Sequence, residues 1–339
     1  MPNKNENLEV MRIISILGVI LIHMSMGYYS NFNIINSSDW IIAGFVTSIS
    51  KFSVPLFFII SSYLFFSKDG NEFGRSVKSI KRVTIALVAW SFIHWFIPFT
   101  DASNLSFKKL IFTIFVGQPS FHLWFLYSYI LLCLSLPILK AAFNSMELKH
   151  YSAIVVTGVF ILFFTPSLVS ILTIKDTSYI NNSQTAFRAD VLIYAAVTPI
   201  LIKAPKLNKS ILVITFLALS VISTALTYWL SEQIGKISDS FNNLTSIFII
   251  IESICLFLVF INVSYNLTTR LKKTILTIGE CCFGAYLCHW IIYLTLDRLG
   301  LMMHSSALTS IPYDTLLIAI FSFAAAYLMR MNPVLRKIC

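Results

Sequence analysis

Charge is scarce in this chain. Only 12% of its 339 residues are Asp, Glu, Lys or Arg, where a soluble domain carries roughly a quarter. Metal-ligand spacing is lacking as well. The six cysteines (Cys133, Cys255, Cys281, Cys282, Cys288 and Cys339) form neither a zinc pattern nor a disulfide framework, so they are expected as free thiols packed among helices. There is no Walker loop, dinucleotide-binding glycine fingerprint, zincin motif or Gly-x-Ser-x-Gly elbow. Nucleotide-driven, Rossmann-type, zinc-protease and serine-hydrolase chemistries have no foothold here. Internal repeats, low-complexity segments and a signal peptide are not evident either. The first apolar run carries Arg12 and His23 and has no small-residue cleavage site.

What the chain has instead is apolar surface: 57% hydrophobic residues, 14% of all residues aromatic. Apolar runs of about 18 or more residues recur, which reads as a polytopic helical membrane protein. Ten candidate spans are expected, at 10–29, 40–66, 83–99, 121–139, 151–172, 189–202, 210–230, 245–265, 275–296 and 313–331. The shortest, 189–202, contains Pro199. The run from Lys108 to Gly117 is too short to span and is expected at the interface or as a re-entrant segment.

Loop charges supply a direction. With the amino terminus inside, the cytoplasmic segments carry Lys4, Arg12, Lys68, Arg75, Lys78, Lys81, Arg82, Lys140, Lys149, Lys203, Lys206, Lys209, Arg270, Lys272, Lys273, Arg330, Arg336 and Lys337. The outer loops hold only Lys108, Lys109, Lys175, Arg188, Lys236 and Arg298, and Lys51 falls within the second span. That asymmetry is the positive-inside pattern. It predicts an all-α, ten-helix single domain over 1–339 with both termini cytoplasmic and no soluble domain. It also accounts for the net charge of +10 without nucleic acid, because the basic residues alternate between loops rather than forming one face.

Inside the first span, Arg12 and His23 are eleven residues apart. At about 3.6 residues per turn that is roughly three turns, so both side chains share one helix face about 16 Å apart. Ionisable residues at such depth are costly and usually mark a functional path. His23 fits a general base, with a helix–helix hydrogen bond as the competing role. Arg12 fits a topogenic anchor as well as a site residue.

Further polar residues follow the same logic. Lys51 and Ser62 are also eleven apart, and Lys51 is near enough to the outer end to snorkel. Pro55 frees a backbone carbonyl and favours a kink. His122 and Trp124 open the fourth span, where an aromatic-belt role competes with a site role. In the ninth span, Glu280 and His289 are nine apart, on opposite faces of a straight helix. Cys288 is a weak nucleophile candidate, since a thiol in apolar surroundings is normally inert. The basic cluster Arg75, Lys78, Lys81 and Arg82 suits topology, lipid binding or phosphate contact, and the sequence leaves these three open.

Four segments together resemble the membrane-bound acyltransferase-3 family, which includes bacterial polysaccharide and enterobacterial common antigen O-acetyltransferases. They are Arg12 with His23 after Asn-Leu-Glu-Val-Met; Ser53-Val-Pro55-Leu-Phe-Phe-Ile-Ile-Ser61 behind Lys51; His122-Leu-Trp124-Phe-Leu; and Phe283-Gly-Ala-Tyr286-Leu-Cys-His289. They occur in the family's order across most of the chain. The resemblance implies a multi-pass enzyme of the bacterial inner membrane. Such an enzyme moves an acyl group, usually acetyl, from cytoplasmic acyl-CoA to a hydroxyl of a lipid-linked or surface glycan, without a metal. It implies His23 as catalytic base and Arg12 as its site partner. Lys51, Arg75, Lys78, Lys81 and Arg82 become candidates for the donor, while Ser61, His122, Trp124, Tyr286 and His289 become candidates for the site lining. Two departures stand out: Ser62 replaces a glycine after the Pro-Leu-Phe-Phe run, and Tyr194-Ala-Ala-Val-Thr-Pro199 replaces a glycine-containing sixth span. Both bear on acceptor-side geometry. A membrane transporter using the same polar face, and a non-catalytic scaffold, are the competing expectations.

Overall fold

The computed structural model describes residues 6–178, 188–263 and 267–339. Among these the regular elements are all helical. In chain order they are α1 (Glu6–Tyr29), α2 (Ser37–Ser50), α3 (Ser53–Phe66), α4 (Glu72–Phe96), α5 (Phe107–Val116), α6 (Trp124–Ser145), α7 (Leu148–Val159), α8 (Thr165–Thr173), α9 (Val191–Lys203), α10 (Lys209–Ile234), α11 (Ile247–Ile261), α12 (Thr269–Arg298) and α13 (Ala307–Met331). Helix is present within each of the ten expected stretches, while 51–52, 97–99, 189–190, 245–246 and 262–263 are non-helical and 264, 265 and Lys4 lie outside the described residues.

Seven helical stretches are long and apolar enough to cross a membrane: Glu6–Tyr29, Ser37–Phe66, Phe107–Ser145, Leu148–Thr173, Lys209–Ile234, Thr269–Arg298 and Ala307–Met331. Helices α9 and α11 are apolar but shorter. Helix α4 starts with Arg75, Lys78, Lys81 and Arg82 and becomes apolar only in its second half. The expected interfacial segment at 108–117 is helix α5, with Phe107, Phe112 and Phe115 exposed.

Local chemistry sets the boundaries. Asn36, Asn208, Ser246 and Thr268 cap α2, α10, α11 and α12 by accepting backbone N–H groups with their side chains. Helix α10 stops at Gly235, whose φ of 68° lies in the left-handed region that glycine adopts freely. The second predicted span divides at Lys51–Phe52. Pro55 has no N–H to give the carbonyl four residues earlier, that of Lys51, and next to it the Ser53 hydroxyl donates to the carbonyl of Ser50. Ahead of Pro166 the chain widens into one π-helical stretch, Phe160–Phe164, between α7 and α8.

Helix α1 is the spine, touching α2, α3, α11, α12 and α13. Two glycines permit its close contacts. A Cβ on Gly18 would press into the Ser53 hydroxyl, with the Ser50 carbonyl only 3.3 Å away, so α3 approaches midway between Arg12 and His23. A Cβ on Gly279 would sit 2.7 Å from Glu9 Cβ, which sets the α1–α12 approach. All six cysteines are free and buried.

A staple holds the turn between α3 and α4. The Lys140 ammonium donates to the Lys68 carbonyl at 2.6 Å and pairs with Asp69 and Glu72 at 2.9 and 3.2 Å. Lys140 holds the Asp69 carboxyl below the usual carboxylate range. Gly18→Val is expected to destabilise the protein by about 1–3 kcal/mol through overpacking, read as a lower thermal midpoint in detergent. Gly27→Ala, facing open space, should melt like the parent.

Candidate active site

Two cavities lie along α1, one near each end. The proximal cavity, about 290 Å³, is lined by Glu9, Arg12, Ser61, Arg82, Glu280 and Arg330, together with aromatic and small residues. Its three arginines outnumber its two glutamates. Arg12 donates to the Glu9 carboxylate at 2.7 Å, and the second Glu9 oxygen is buried without a partner. Arg330 pairs with the Glu280 carboxylate and also donates to the Glu280 carbonyl at 2.5 Å. Arg82 donates to the Cys339 carbonyl at 3.3 Å and stands over Phe283 at 5.4 Å.

The distal cavity, about 260 Å³, presents His23, Lys51, His122, Trp124, Arg188 and Asp239. Arg188 clasps both oxygens of Asp190 at 3.2 and 2.8 Å and lies over the Trp124 ring at 5.5 Å. Asp239 accepts the Tyr29 hydroxyl at 2.7 Å. Lys51 forms no ion pair of 4 Å or less among the described residues, although it feels Asp239 and Arg188 electrostatically.

His23 stands at the edge of a histidine array. Its ring stacks on His289 with centroids 5.2 Å apart and 24° between planes, and meets Phe121 edge-on at 5.1 Å. His289 meets His122 at 5.3 Å, and His122 meets His94 at 5.0 Å. The Nδ1–H of His289 donates to the Tyr286 carbonyl, which leaves its Nε2 unpaired and buried. The Nε2 of His122 and both ring nitrogens of His94 are also buried without partners. Four of the chain's six histidines thus lie in one layer.

The two cavities share two lining residues, Phe125 and Tyr286. These rings touch at 5.1 Å, and the Tyr286 hydroxyl donates to the His122 carbonyl. An aromatic wall two side chains wide separates a basic chamber from a histidine-bearing one.

The residues singled out by sequence divide among these features. Arg12, Ser61 and Arg82 line the proximal cavity, while His23, Lys51, His122 and Trp124 line the distal one. Tyr286 belongs to both, and His289 acts behind His23. Lys51 is thereby separated from Arg82, with which it was grouped. The helical stretch starts at Ser37, so Lys51 sits midway along it and turns into the cavity instead of snorkelling. Arg75, Lys78 and Lys81 line neither cavity. Arg75 donates to the carbonyls of Phe65 and Lys68 at 3.3 and 2.8 Å, and Lys78 and Lys81 are exposed. His122 is 1% exposed. Glu280 lines the proximal cavity and His289 stands against His23 beside the distal one, nine residues apart within an unbroken α12.

Sequence reasoning passed over His94, Glu9, Arg330 and Phe125. His94 carried the signal already used for His23, an imidazole inside an apolar run. The others carried none, since a first-turn glutamate, a last-turn arginine and a phenylalanine among 29 look ordinary.

The profile described as an acyltransferase domain matches residues 5–331. The chain belongs to the acyltransferase-3 family. No curated protein and no solved structure matches it. The acyltransferase domain therefore covers both cavities and the wall between them, within a multi-pass membrane protein. In this domain Tyr286 ties α12 to the His122 carbonyl as well as lining the wall. Tyr286→Phe removes the hydrogen bond to the His122 carbonyl, at an expected cost of about 0.5–1.5 kcal/mol. A thermal melt of the detergent-solubilised variant checks this.

Proposed function

We propose that this protein is an O-acyltransferase that moves an acetyl group from cytoplasmic acyl-CoA to a hydroxyl of a lipid-linked or cell-surface glycan. One observation carries the reading: Arg12 and His23, on one face of α1, open into separate cavities that meet only at Phe125 and Tyr286 among their lining residues. With the amino terminus cytoplasmic, as the loop charges favour, the proximal cavity faces the compartment that holds acyl-CoA. Its surplus of arginine suits an anionic donor, since guanidinium groups pair well with phosphate. The distal cavity suits a saccharide: Trp124 supplies a flat apolar surface, Asp239 accepts, and Lys51 and Arg188 donate.

The chemistry follows from the wall. His23, as a neutral imidazole, removes the proton of an acceptor hydroxyl as that oxygen attacks the thioester carbonyl. A C–O bond forms, the C–S bond breaks, and the imidazolium returns the proton to the departing thiolate. Stacking on His289 holds the His23 ring in place, and the hydrogen bond of His289 to Tyr286 fixes the second ring in turn. Arg12, about three turns away, meets the donor rather than the reacting atoms. General-base help of this kind is typically worth about 10²–10⁴-fold.

His23→Ala is expected to lower transfer of label from acetyl-CoA by about 100-fold or more in membranes where the variant is inserted at parental levels. Undiminished transfer in that variant would remove His23 from the mechanism. If membranes with the parent protein transfer no label beyond those without it, acyl transfer itself is wrong. Glycan movement independent of acyl-CoA would then favour transport.

A further inference from the structure

We infer that Phe125 determines the length of the acyl group this protein transfers, restricting the donor to acetyl or a similarly short acyl chain. The inference rests on the acyl-transfer reading and adds a specificity-determining residue to it. For a thioester entering the proximal cavity to meet a hydroxyl in the distal one, its carbonyl carbon must reach the aromatic wall. The acyl tail then lies at the wall itself, because it is bonded to that carbon. Room for the tail is thus set by Phe125 and Tyr286, the residues common to both cavities.

The two rings differ in freedom. Tyr286 is anchored through its hydroxyl to the His122 carbonyl, and the carbonyl of the same residue holds His289. Phe125 has no polar anchor and is fixed by packing alone. Its ring stacks on Phe58 at 5.1 Å with 28° between planes and meets Phe57, Tyr129 and Tyr286 at 5.9, 5.8 and 5.1 Å. Helix α6 begins only one residue before it, so Phe125 projects from a backbone set by the 3-10 turn Phe121–Leu123. That turn also carries His122. The ring is 6% exposed, and each methylene added to the acyl chain would have to displace close-packed aromatic surface. In a hydrophobic pocket one methylene is typically worth about 10–200-fold in discrimination.

The test uses membranes that contain the natural acceptor and the parent, Phe125→Ala, Phe125→Leu or His23→Ala protein. Each is given radiolabelled acetyl-CoA or butyryl-CoA, and His23-dependent label in the glycan and lipid fraction is counted. The parent should prefer acetyl over butyryl by about 100-fold or more. Phe125→Ala should narrow that preference to less than about tenfold, with Phe125→Leu between them. A parent that takes butyryl as readily as acetyl overturns the inference, as does an unchanged ratio in the substituted proteins. Should Phe125→Ala fail to insert, Phe125→Leu carries the comparison alone. Absence of His23-dependent label from either donor in the parent is a different failure, that of acyl transfer itself.

Discussion

An imidazole or an ammonium group inside hydrocarbon must find a partner or a cavity, and the rest of this fold is arranged around that requirement. Helix α1 carries the two residues that pose it most sharply, Arg12 and His23. Around it, α3 and α12 come close through Gly18 and Gly279, with α2, α11 and α13 completing the contacts. Arg12 is answered by Glu9 at 2.7 Å, whereas His23 is answered by a stacked His289 and an open chamber. The difference has chemical meaning. A paired guanidinium is settled and suited to holding charge, while an imidazole facing a chamber is suited to moving a proton.

The helical architecture was legible because its signal is one of length. Apolar runs of this length at this charge density read as helix, and the described regular elements are all helical. A kink was legible from Pro55, which removes a definite hydrogen bond, but the division of the 40–66 stretch at Lys51–Phe52 was not. How many helices cross a membrane is less direct. Helices α9 and α11 are short, and α4 mixes four basic residues with an apolar half, so length and composition alone mark seven stretches.

The candidate site was half legible. His23, His122 and His289 announced themselves as polar residues in apolar runs, Tyr286 came with the family resemblance, and the four converge. Lys51 did as well, but its place along a 30-residue helical stretch depends on where α2 begins, and a shift of a few residues moves a side chain from interface to interior. The basic cluster divides for a related reason. Charge density does not say which arginine is already spent, and Arg75 is spent on the Phe65 and Lys68 carbonyls while Arg82 reaches the cavity. Phe125 was invisible because its role arises from where two cavities meet, a property of packing and not of residue type.

The central claim is that donor and acceptor approach His23 from opposite ends of α1. Sealed membrane vesicles of known orientation test it most directly, with labelled acetyl-CoA supplied on one side only. The account predicts transfer when the donor is on the face that bears the amino terminus, with the label appearing on acceptor groups accessible from the opposite face. Transfer that requires donor and acceptor on the same face would contradict it.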